Sequence, residues 1–242
     1  MPSSYILSQD ALPCPHRGAH AVAITGAGGR IGRSLAKYAA DRYSLRLVVH
    51  HEEKAAPMRE FGDVMSGDLS DAGFAREVVS GMDTIVHLAA DPSPAADWES
   101  LRRNNIVLTY ETLSAATRAE CRRVIFASSI HAVSGYPPGY QVHEDDPVNP
   151  GDLYGVSKCF GEALCRMVAV QQGMSSIALR IGAFQPREKA RHPDSIGIMN
   201  AFVSHRDLDQ LICRCIDDER LLFAIFHGLS DNRFNRMSIQ SA

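Results

Sequence analysis

The stretch HAVAITGAGGRIGRSLAKYAAD, residues 20–41, carries three consecutive local signals. Residues 20–25 form a short apolar run, which is typical of a buried strand. A turn rich in glycine, TGAGGRIG at 25–32, follows the run, and residues 31–41 show the apolar spacing of a helix. A strand, a glycine turn and a helix in this order predict the first βα unit of a parallel sheet.

Strands and helices continue to alternate along the chain. Further strands are predicted at 44–50, 64–66, 83–90, 123–129 and 176–181, and helices at 72–80, 98–120 and 153–173. This alternation predicts an α/β protein with a doubly wound parallel sheet, the Rossmann fold, and helices on both faces.

Three regions follow from this pattern. We expect an N-terminal extension at 1–19 that lies outside the fold, a dinucleotide-binding domain at 20–181, and a small C-terminal substrate-binding annex at 182–242. The annex contains a helix candidate at 206–216 and an apolar strand at 221–226. A long loop rich in proline and glycine at 130–152 is of a length that is uncommon unless the loop has a function.

Composition narrows the class of partner. The chain of 242 residues has 25 basic and 28 acidic side chains and a net charge of −3, so no basic excess indicates a nucleic acid partner. No apolar run reaches the length that spans a bilayer, and the N-terminus does not resemble a secretory signal. The six cysteines include no C-x-x-C pair, which predicts reduced thiols, a cytoplasmic location and no metal site.

The glycine turn is the first candidate ligand site. Its glycines permit a tight turn and let backbone N–H groups approach a pyrophosphate at the start of a helix. A tight connector without a ligand is the alternative. The residues of the turn that we assign to cofactor binding are Gly26, Gly28, Gly29, Arg30, Ile31 and Gly32.

Three further strand ends supply candidates for the cofactor site. Asp68 and Leu69 follow the third strand, where a carboxylate can accept a hydrogen bond from an adenine amino group. The fourth strand ends with Leu88, Ala89 and Ala90, and the small residues at this point let a cofactor lie close. His50 ends the second strand.

The second strand lacks the Asp that excludes a 2′-phosphate in many NAD enzymes. Arg30 or Arg33 could accept such a phosphate, and Glu52 or Glu53 could repel it. The cofactor is therefore NAD or NADP, with a slight preference for NAD.

Tyr154 and Lys158 give the sharpest chemical signal. They stand at i and i+4 and share one face of a predicted helix. An ammonium beside a phenol stabilises the phenolate, so we expect the pKa of Tyr154 to be lowered for acid–base work. Ser129 ends the fifth strand at the sheet edge where ligands bind, and its hydroxyl could hold a substrate oxygen. An ordinary surface pair is the alternative.

The chain resembles the extended short-chain dehydrogenases/reductases over residues 20–226. The motifs that carry the resemblance are TGAGGRIG (25–32), HLAA (87–90), Asn105, ASS (127–129) and YGVSK (154–158). Within that superfamily, the residues around Ser129, LYGVSKCFGE (153–162) and LRIG (179–182) are similar to those of bacterial uronate dehydrogenases.

The resemblance implies roles for several residues. It implies a catalytic triad of Ser129, Tyr154 and Lys158, with Asn105 holding a water molecule in a proton relay. It places substrate contacts on Ser93 and His131. It also implies a homodimer, or a higher homo-oligomer, that pairs through the helices at 98–120 and 153–173.

Some positions depart from the uronate dehydrogenase pattern. Ile130 replaces an Asn and Ala183 replaces a Ser, so polar contacts to a sugar are fewer. Arg187 and Arg191 are both candidates for binding a substrate carboxylate.

These observations favour an NAD(P)-dependent oxidoreductase that oxidises a sugar acid or a related small polyol. A nucleotide-sugar epimerase or dehydratase is the first alternative, since it uses the same triad. Only about 60 residues follow the sixth strand, which is little chain to hold a nucleotide. A redox sensor that binds a dinucleotide without turnover is the second alternative, but Tyr154 and Lys158 are both present.

Overall fold

An eight-stranded sheet organises the structure, a computed structural model that describes residues 4–6, 20–186, 188 and 198–242. The strands of this sheet are β1 Ser4–Ile6, β2 Ala21–Thr25, β3 Ser44–Val49, β4 Asp63–Ser66, β5 Thr84–His87, β6 Arg123–Ser129, β7 Ser175–Ile181 and β10 Leu221–Gly228. Their order in the sheet is β1-β10-β7-β6-β5-β2-β3-β4, and all neighbours are parallel except β1, which is antiparallel to β10. A separate parallel pair consists of β8 Ala183–Phe184 and β9 Phe202–Val203.

Helices cover both faces of the sheet. They are α1 Arg30–Ala39, α2 Ala72–Val79, α3 Trp98–Leu101, α4 Leu108–Arg118, α5 Leu153–Gln172 and α6 His205–Asp217. A π-helical stretch, Arg102–Val107, joins α3 to α4 without a break. One apolar core holds buried residues of α1 and α6, and the other holds residues of α2, α4 and α5. The predicted doubly wound Rossmann fold is confirmed.

The order of the strands explains why the glycine turn and Ser129 lie at the same edge of the sheet. The strand order changes direction between β2 and β5, and ligands in open α/β sheets bind outside the carboxyl ends of the strands at such a point. The glycine turn follows β2 and Ser129 ends β6, so both lie at that edge. None of the described helices is both long and apolar enough to cross a bilayer.

Two boundary predictions need correction. The prediction that residues 1–19 lie outside the fold is wrong for Ser4–Ile6, because these residues pair with β10 and form an edge strand. The predicted boundary between the dinucleotide-binding domain and an annex at 182–242 is also wrong for part of the annex. Its strand β10 lies inside the main sheet between β1 and β7, and its helix α6 packs against α1.

A smaller apolar cluster joins the end of the chain to the long loop. Its buried members are Val133, Val142, Ala201, Leu229 and Met237. Val142 also forms an isolated parallel bridge with Met237. The final residues therefore pack over the loop that begins after Ser129.

Candidate active site

The glycine turn after β2 is closely packed against the end of β5. Gly26 has a φ of +67°, and a Cβ there would lie 2.9 Å from the backbone nitrogen of Ala89. A Cβ on Gly32 would lie 2.5 Å from the carbonyl oxygen of Gly26. Both positions need glycine because the backbone itself occupies the space that a side chain would take. The turn and the residues after β5 thus form one continuous surface of small residues.

The start of α1 leaves backbone donors available at this surface. Gly29 is the N-cap and supplies no side-chain hydrogen bond, and the first turn has no acidic residue. The first N–H groups of a helix have no partner within the helix, so they can bind a pyrophosphate. Arg30 and Ile31 begin the helix, with Arg30 exposed. The glycine turn at 25–32, which we call the glycine cradle, and the start of α1 therefore fit a dinucleotide.

Lys54 is a neighbour of the cradle that the sequence did not reveal. Its side chain lies over Gly28, where an added Cβ would be 3.0 Å from the Cβ of Lys54. The residue is on a short 3-10 turn, Glu52–Lys54, beyond β3. The direction in which this turn leaves β3 depends on tertiary packing. Its approach to the glycine turn could therefore not be predicted from the sequence.

A buried pair holds the residues after β5 in position. The hydroxyl of Thr25 accepts hydrogen bonds from the backbone N–H groups of Leu88 and Ala89, each at 3.1 Å, and lies 3.1 Å from Nδ1 of His87. Burial lowers the pKa of His87 to about 3, and the charge of Lys158 acts in the same direction. His87 is therefore neutral, and Thr25 beside it holds the backbone of Leu88 and Ala89, two of the three predicted cofactor contacts after β5.

The residues predicted to contact adenine and ribose have different surroundings. Asp68 accepts hydrogen bonds from the backbone and hydroxyl of Ser70 and from Arg103. Burial opposes ionisation of Asp68, but these bonds outweigh it and lower the pKa to about 2. Leu69 is buried in the core. His50 is exposed, and its ring meets that of His51 edge to face at 4.3 Å.

Helix α5 brings Tyr154 and Lys158 to the end of β6. Asp152 caps the helix by accepting a 2.7 Å hydrogen bond from the backbone N–H of Gly155. Tyr154 is 8% exposed and Lys158 is 4% exposed, and Nζ of the lysine lies 5.5 Å from the centroid of the tyrosine ring. The Ser129 side chain lies close enough to Tyr154 to lower the pKa of its phenol. The three predicted catalytic residues therefore lie together.

The expected lowering of the Tyr154 pKa is wrong for the protein alone. Burial raises the pKa of this phenol, the charges of Asp152 and Asp91 act in the same direction, and only the hydrogen bond with Ser129 opposes them. Lys158 donates a 2.9 Å hydrogen bond to the carbonyl of Ala127, which engages its ammonium. Burial lowers the pKa of Lys158 to about 8.

Asn105 links the catalytic helix to the loop after β5. It lies in the π-helical stretch and is 2% exposed. Its Nδ2 donates to the Ser157 hydroxyl at 2.9 Å and to the Asp91 carbonyl at 3.1 Å, and its Oδ1 accepts from the Asp91 N–H at 2.8 Å. These contacts position Asp91 and α5, so the direct surroundings of Asn105 are protein groups.

Two of the four predicted substrate contacts, Ser93 and His131, are among the described residues. Ser93 is exposed and lies in the turn after Asp91, whose carboxylate accepts a 3.0 Å hydrogen bond from the Ser93 N–H. His131 lies beside Tyr154, with ring centroids 5.3 Å apart. Ile130 packs on the apolar cluster that includes Val133. The two arginines proposed for a carboxylate, Arg187 and Arg191, lie outside the described residues.

The fold and the site define an oxidoreductase of the short-chain dehydrogenase class. A glycine cradle fits a dinucleotide at the end of β2, and a serine, a tyrosine and a lysine meet beside it. The NAD dependent epimerase/dehydratase family matches residues 22–205, and the chain belongs to this family. The prediction of an enzyme with a nicotinamide cofactor is confirmed at this level.

Two relatives and one solved structure show which enzymes of the family the chain is similar to. The chain is 32% identical to the NAD-dependent glucose-6-phosphate dehydrogenase of Haloferax volcanii, over 91% of this chain and 89% of that one. It is 35% identical to the uronate dehydrogenase of Agrobacterium fabrum, over 78% of this chain and 69% of that one. The crystal structure of uronate dehydrogenase from Agrobacterium tumefaciens superposes with a TM-score of 0.82 at 31% identity, covering 91% of this chain and 80% of that one.

Proposed function

We propose that the protein uses NAD to oxidise the ring carbon that bears the anomeric hydroxyl of a free sugar, with hexuronates as the first candidates. The observation that carries the proposal is the meeting of Ser129, Tyr154 and Lys158 beside the glycine cradle. The similarity to uronate and glucose-6-phosphate dehydrogenases supports a free sugar or sugar derivative as the substrate.

The side chains have separate tasks in this reaction. A bound nicotinamide supplies a carbon that accepts a hydride. The Ser129 hydroxyl holds the substrate oxygen, and Tyr154 as phenolate takes the proton from that oxygen. Lys158 places a positive charge 5.5 Å from the centre of the Tyr154 ring, and a nearby positive charge favours the phenolate. Asn105 holds the turn at Asp91 and helix α5 in their positions relative to each other.

The cofactor would lie along the carboxyl edge of β2 to β5. The backbone of the glycine turn and the start of α1 would bind the pyrophosphate, and Asp68 and Leu69 would lie near the adenine. The full set that we propose for the cofactor is Gly26, Gly28, Gly29, Arg30, Ile31, Gly32, His50, Asp68, Leu69, Leu88, Ala89, Ala90, Tyr154 and Lys158. Ser93, His131, Arg187 and Arg191 are the proposed substrate contacts.

We also propose that the chain forms a homodimer in the cytoplasm. A stripe of exposed apolar residues runs along α5 at Leu153, Val156, Met167 and Val170, with exposed fractions of 41–54%. Tyr110 of the neighbouring α4 is 47% exposed. Apolar stripes of this kind are typical of subunit interfaces. The cysteines of the described residues carry free thiols, which fits a reducing compartment.

A substrate screen tests the function directly. Galacturonate, glucuronate, glucose 6-phosphate and free aldoses are incubated with NAD or NADP, and the absorbance of the reduced nicotinamide is followed. We expect turnover of at least one hexuronate or aldose. Chromatography of a parallel reaction with a uridine-diphosphate sugar tests the alternative. An epimerised or dehydrated nucleotide sugar, formed without net reduction of the cofactor, would establish the epimerase function instead.

A further inference from the structure

Asp152 has two contacts at the first turn of the catalytic helix. Its Oδ1 accepts the capping hydrogen bond from Gly155. Its Oδ2 lies 2.6 Å from Nδ1 of His131. The imidazole in turn meets the ring of Tyr154 edge to face, with an angle of 72° between the planes. The residue that caps α5 therefore also holds a histidine next to the proposed base.

The backbone of His131 is fixed as closely as its ring. Its N–H donates a 3.2 Å hydrogen bond to the hydroxyl of Ser129. Its carbonyl oxygen lies so close to Gly155 that a Cβ on that glycine would be 2.3 Å away. The start of α5 therefore packs directly on the backbone of His131, and this backbone cannot move far unless Ser129 or α5 moves as well.

The two ring nitrogens of His131 have different surroundings. Nδ1 faces Asp152, whereas Nε2 has no hydrogen-bond partner among the described residues. The His131 side chain is 29% exposed, so solvent or a ligand can reach the ring. An ionised carboxylate only accepts hydrogen bonds, so a neutral imidazole beside Asp152 must carry its proton on Nδ1. Its Nε2 is then an acceptor.

We propose that Asp152 is a positioning residue for the reaction, and that it acts by fixing the tautomer of His131. With the proton on Nδ1, Nε2 accepts a hydrogen bond from a sugar hydroxyl next to the carbon that is oxidised. The identity of that ligand rests on the proposed function. The tautomer itself is a property of the protein and is measured without substrate.

Three substitutions at this position separate the two contacts of Asp152. Serine and asparagine are both good N-caps, so Asp152→Ser and Asp152→Asn keep the cap. Serine has one side-chain oxygen, which the cap uses, so His131 loses its acceptor. In Asp152→Asn the amide oxygen keeps the cap and the amide nitrogen faces Nδ1. The ring must then place its proton on Nε2. Asp152→Ala removes the cap and serves as the control for stability.

The first measurement is the ¹⁵N spectrum of imidazole-labelled protein with NAD at pH 8, where an ordinary histidine is neutral. His131→Gln assigns the signals. We expect a protonated Nδ1 and a bare Nε2 in the parent protein, and the opposite in Asp152→Asn. A protonated Nε2 in the parent protein, or an unchanged tautomer in Asp152→Asn, would overturn the proposal.

The second measurement is a double-mutant cycle with galacturonate. We expect Asp152→Asn to raise KM about 10-fold with kcat within about 3-fold, and Asp152→Ser to raise KM by less. In a His131→Ala background, Asp152→Asn should change kcat/KM by less than about 2-fold. An equal effect in both backgrounds would show that Asp152 acts through its charge near Tyr154 and not through His131, against the proposal. If the parent protein does not oxidise galacturonate or any other sugar, the proposed function fails, and the spectra still decide the role of Asp152.

Discussion

The ammonium of Lys158 donates a 2.9 Å hydrogen bond to the carbonyl oxygen of Ala127, two residues before Ser129 on the same strand. This bond joins the catalytic helix to the strand that carries the serine. Both groups are buried, so the distance between Tyr154 and Ser129 is set by rigid elements rather than by a loop. Sites on helices and strands hold their geometry better than sites on loops.

Tyr154→Phe tests the acid–base assignment. The change removes only the hydroxyl, so the fold and the cofactor site should persist while kcat falls by about 10²–10⁴. Steady-state kinetics with the substrate found in the screen, together with NAD binding by calorimetry, measure both effects. Tyr38→Phe is the control, since Tyr38 is exposed on α1. Turnover within a factor of about three of the parent protein would show that another group moves the proton.

The sequence predicted the fold better than it predicted the detailed site. Alternation of apolar runs and helical spacing located every strand from β2 to β7, and residues 123–129 match β6 at both ends. These signals are local, so sequence alone can read them. The pairing of Ser4–Ile6 with β10 joins segments more than two hundred residues apart, and no local pattern indicates it.

The same distinction applies within the site. Tyr154 and Lys158 share a helix face by spacing, whereas the contact between Asp152 and His131 joins two segments 21 residues apart. Lys54 approaches Gly28 through a turn whose direction depends on tertiary packing. The pKa of Tyr154 depends on burial, which spacing does not give. Spacing and the rule for sheet edges therefore predicted that Ser129, Tyr154 and Lys158 meet, whereas contacts that depend on tertiary packing and burial could not be predicted.

Gly26→Ala tests the glycine cradle. Gly26 and Gly81 have similar φ angles of +67° and +73°, so alanine pays a similar backbone cost at both. Only at Gly26 does a Cβ meet another segment, at 2.9 Å from Ala89, while nothing lies within 4 Å at Gly81. We expect Gly26→Ala to weaken NAD binding at least 10-fold and Gly81→Ala to leave it within about 2-fold, as measured by calorimetry. Equal effects would argue against the cradle.

Asn105→Ala tests the buried link between Asp91 and α5. The change removes three hydrogen bonds and leaves the part-buried N–H and carbonyl groups of Asp91 without this partner, while the Ser157 hydroxyl keeps its bond to the Tyr154 carbonyl. Each such group costs about 1–3 kcal/mol, so the free energy of unfolding should fall by at least about 2 kcal/mol. Urea unfolding measures the loss. Asn104→Ala is the matched control, because the Asn104 side chain donates to Ser100 alone among the residues that the structure describes. A loss below about 0.5 kcal/mol would contradict a structural role.

Cofactor selectivity should be modest and should depend on Lys54. No Asp ends β3, and the Lys54 side chain lies over the glycine turn. We expect the ratio of kcat/KM for NAD and NADP to stay within about 100-fold, or about 2.7 kcal/mol. Lys54→Glu should lower kcat/KM with NADP more than with NAD, because a 2′-phosphate is then repelled. Lys37→Glu, at the far end of α1, is the control. A parent preference of several thousand-fold would show that a different residue reads the ribose.

Lys158→Met should raise the stability of the fold while lowering activity, and the gain in stability should depend on pH. Burial lowers the pKa of Lys158 to about 8, whereas an unfolded lysine titrates near 10.4. Below pH 8 both states are protonated, and the folded protein carries the full cost of a buried ammonium. Between pH 8 and about 10.4 the unfolded state binds more protons, so the free energy of unfolding rises with pH.

Methionine keeps the apolar stem and removes the charge, but it also removes the bond to Ala127. The charge costs about 3 kcal/mol at neutral pH, and the lost hydrogen bond offsets about 1 kcal/mol. We therefore expect Lys158→Met to raise the free energy of unfolding at pH 7 by about 1–3 kcal/mol while kcat falls sharply. The gain should shrink as the pH approaches 10. Urea unfolding without cofactor at both pH values measures it, with Lys37→Met as the exposed control. A variant less stable than the parent protein at pH 7 would show that the buried ammonium stabilises the fold.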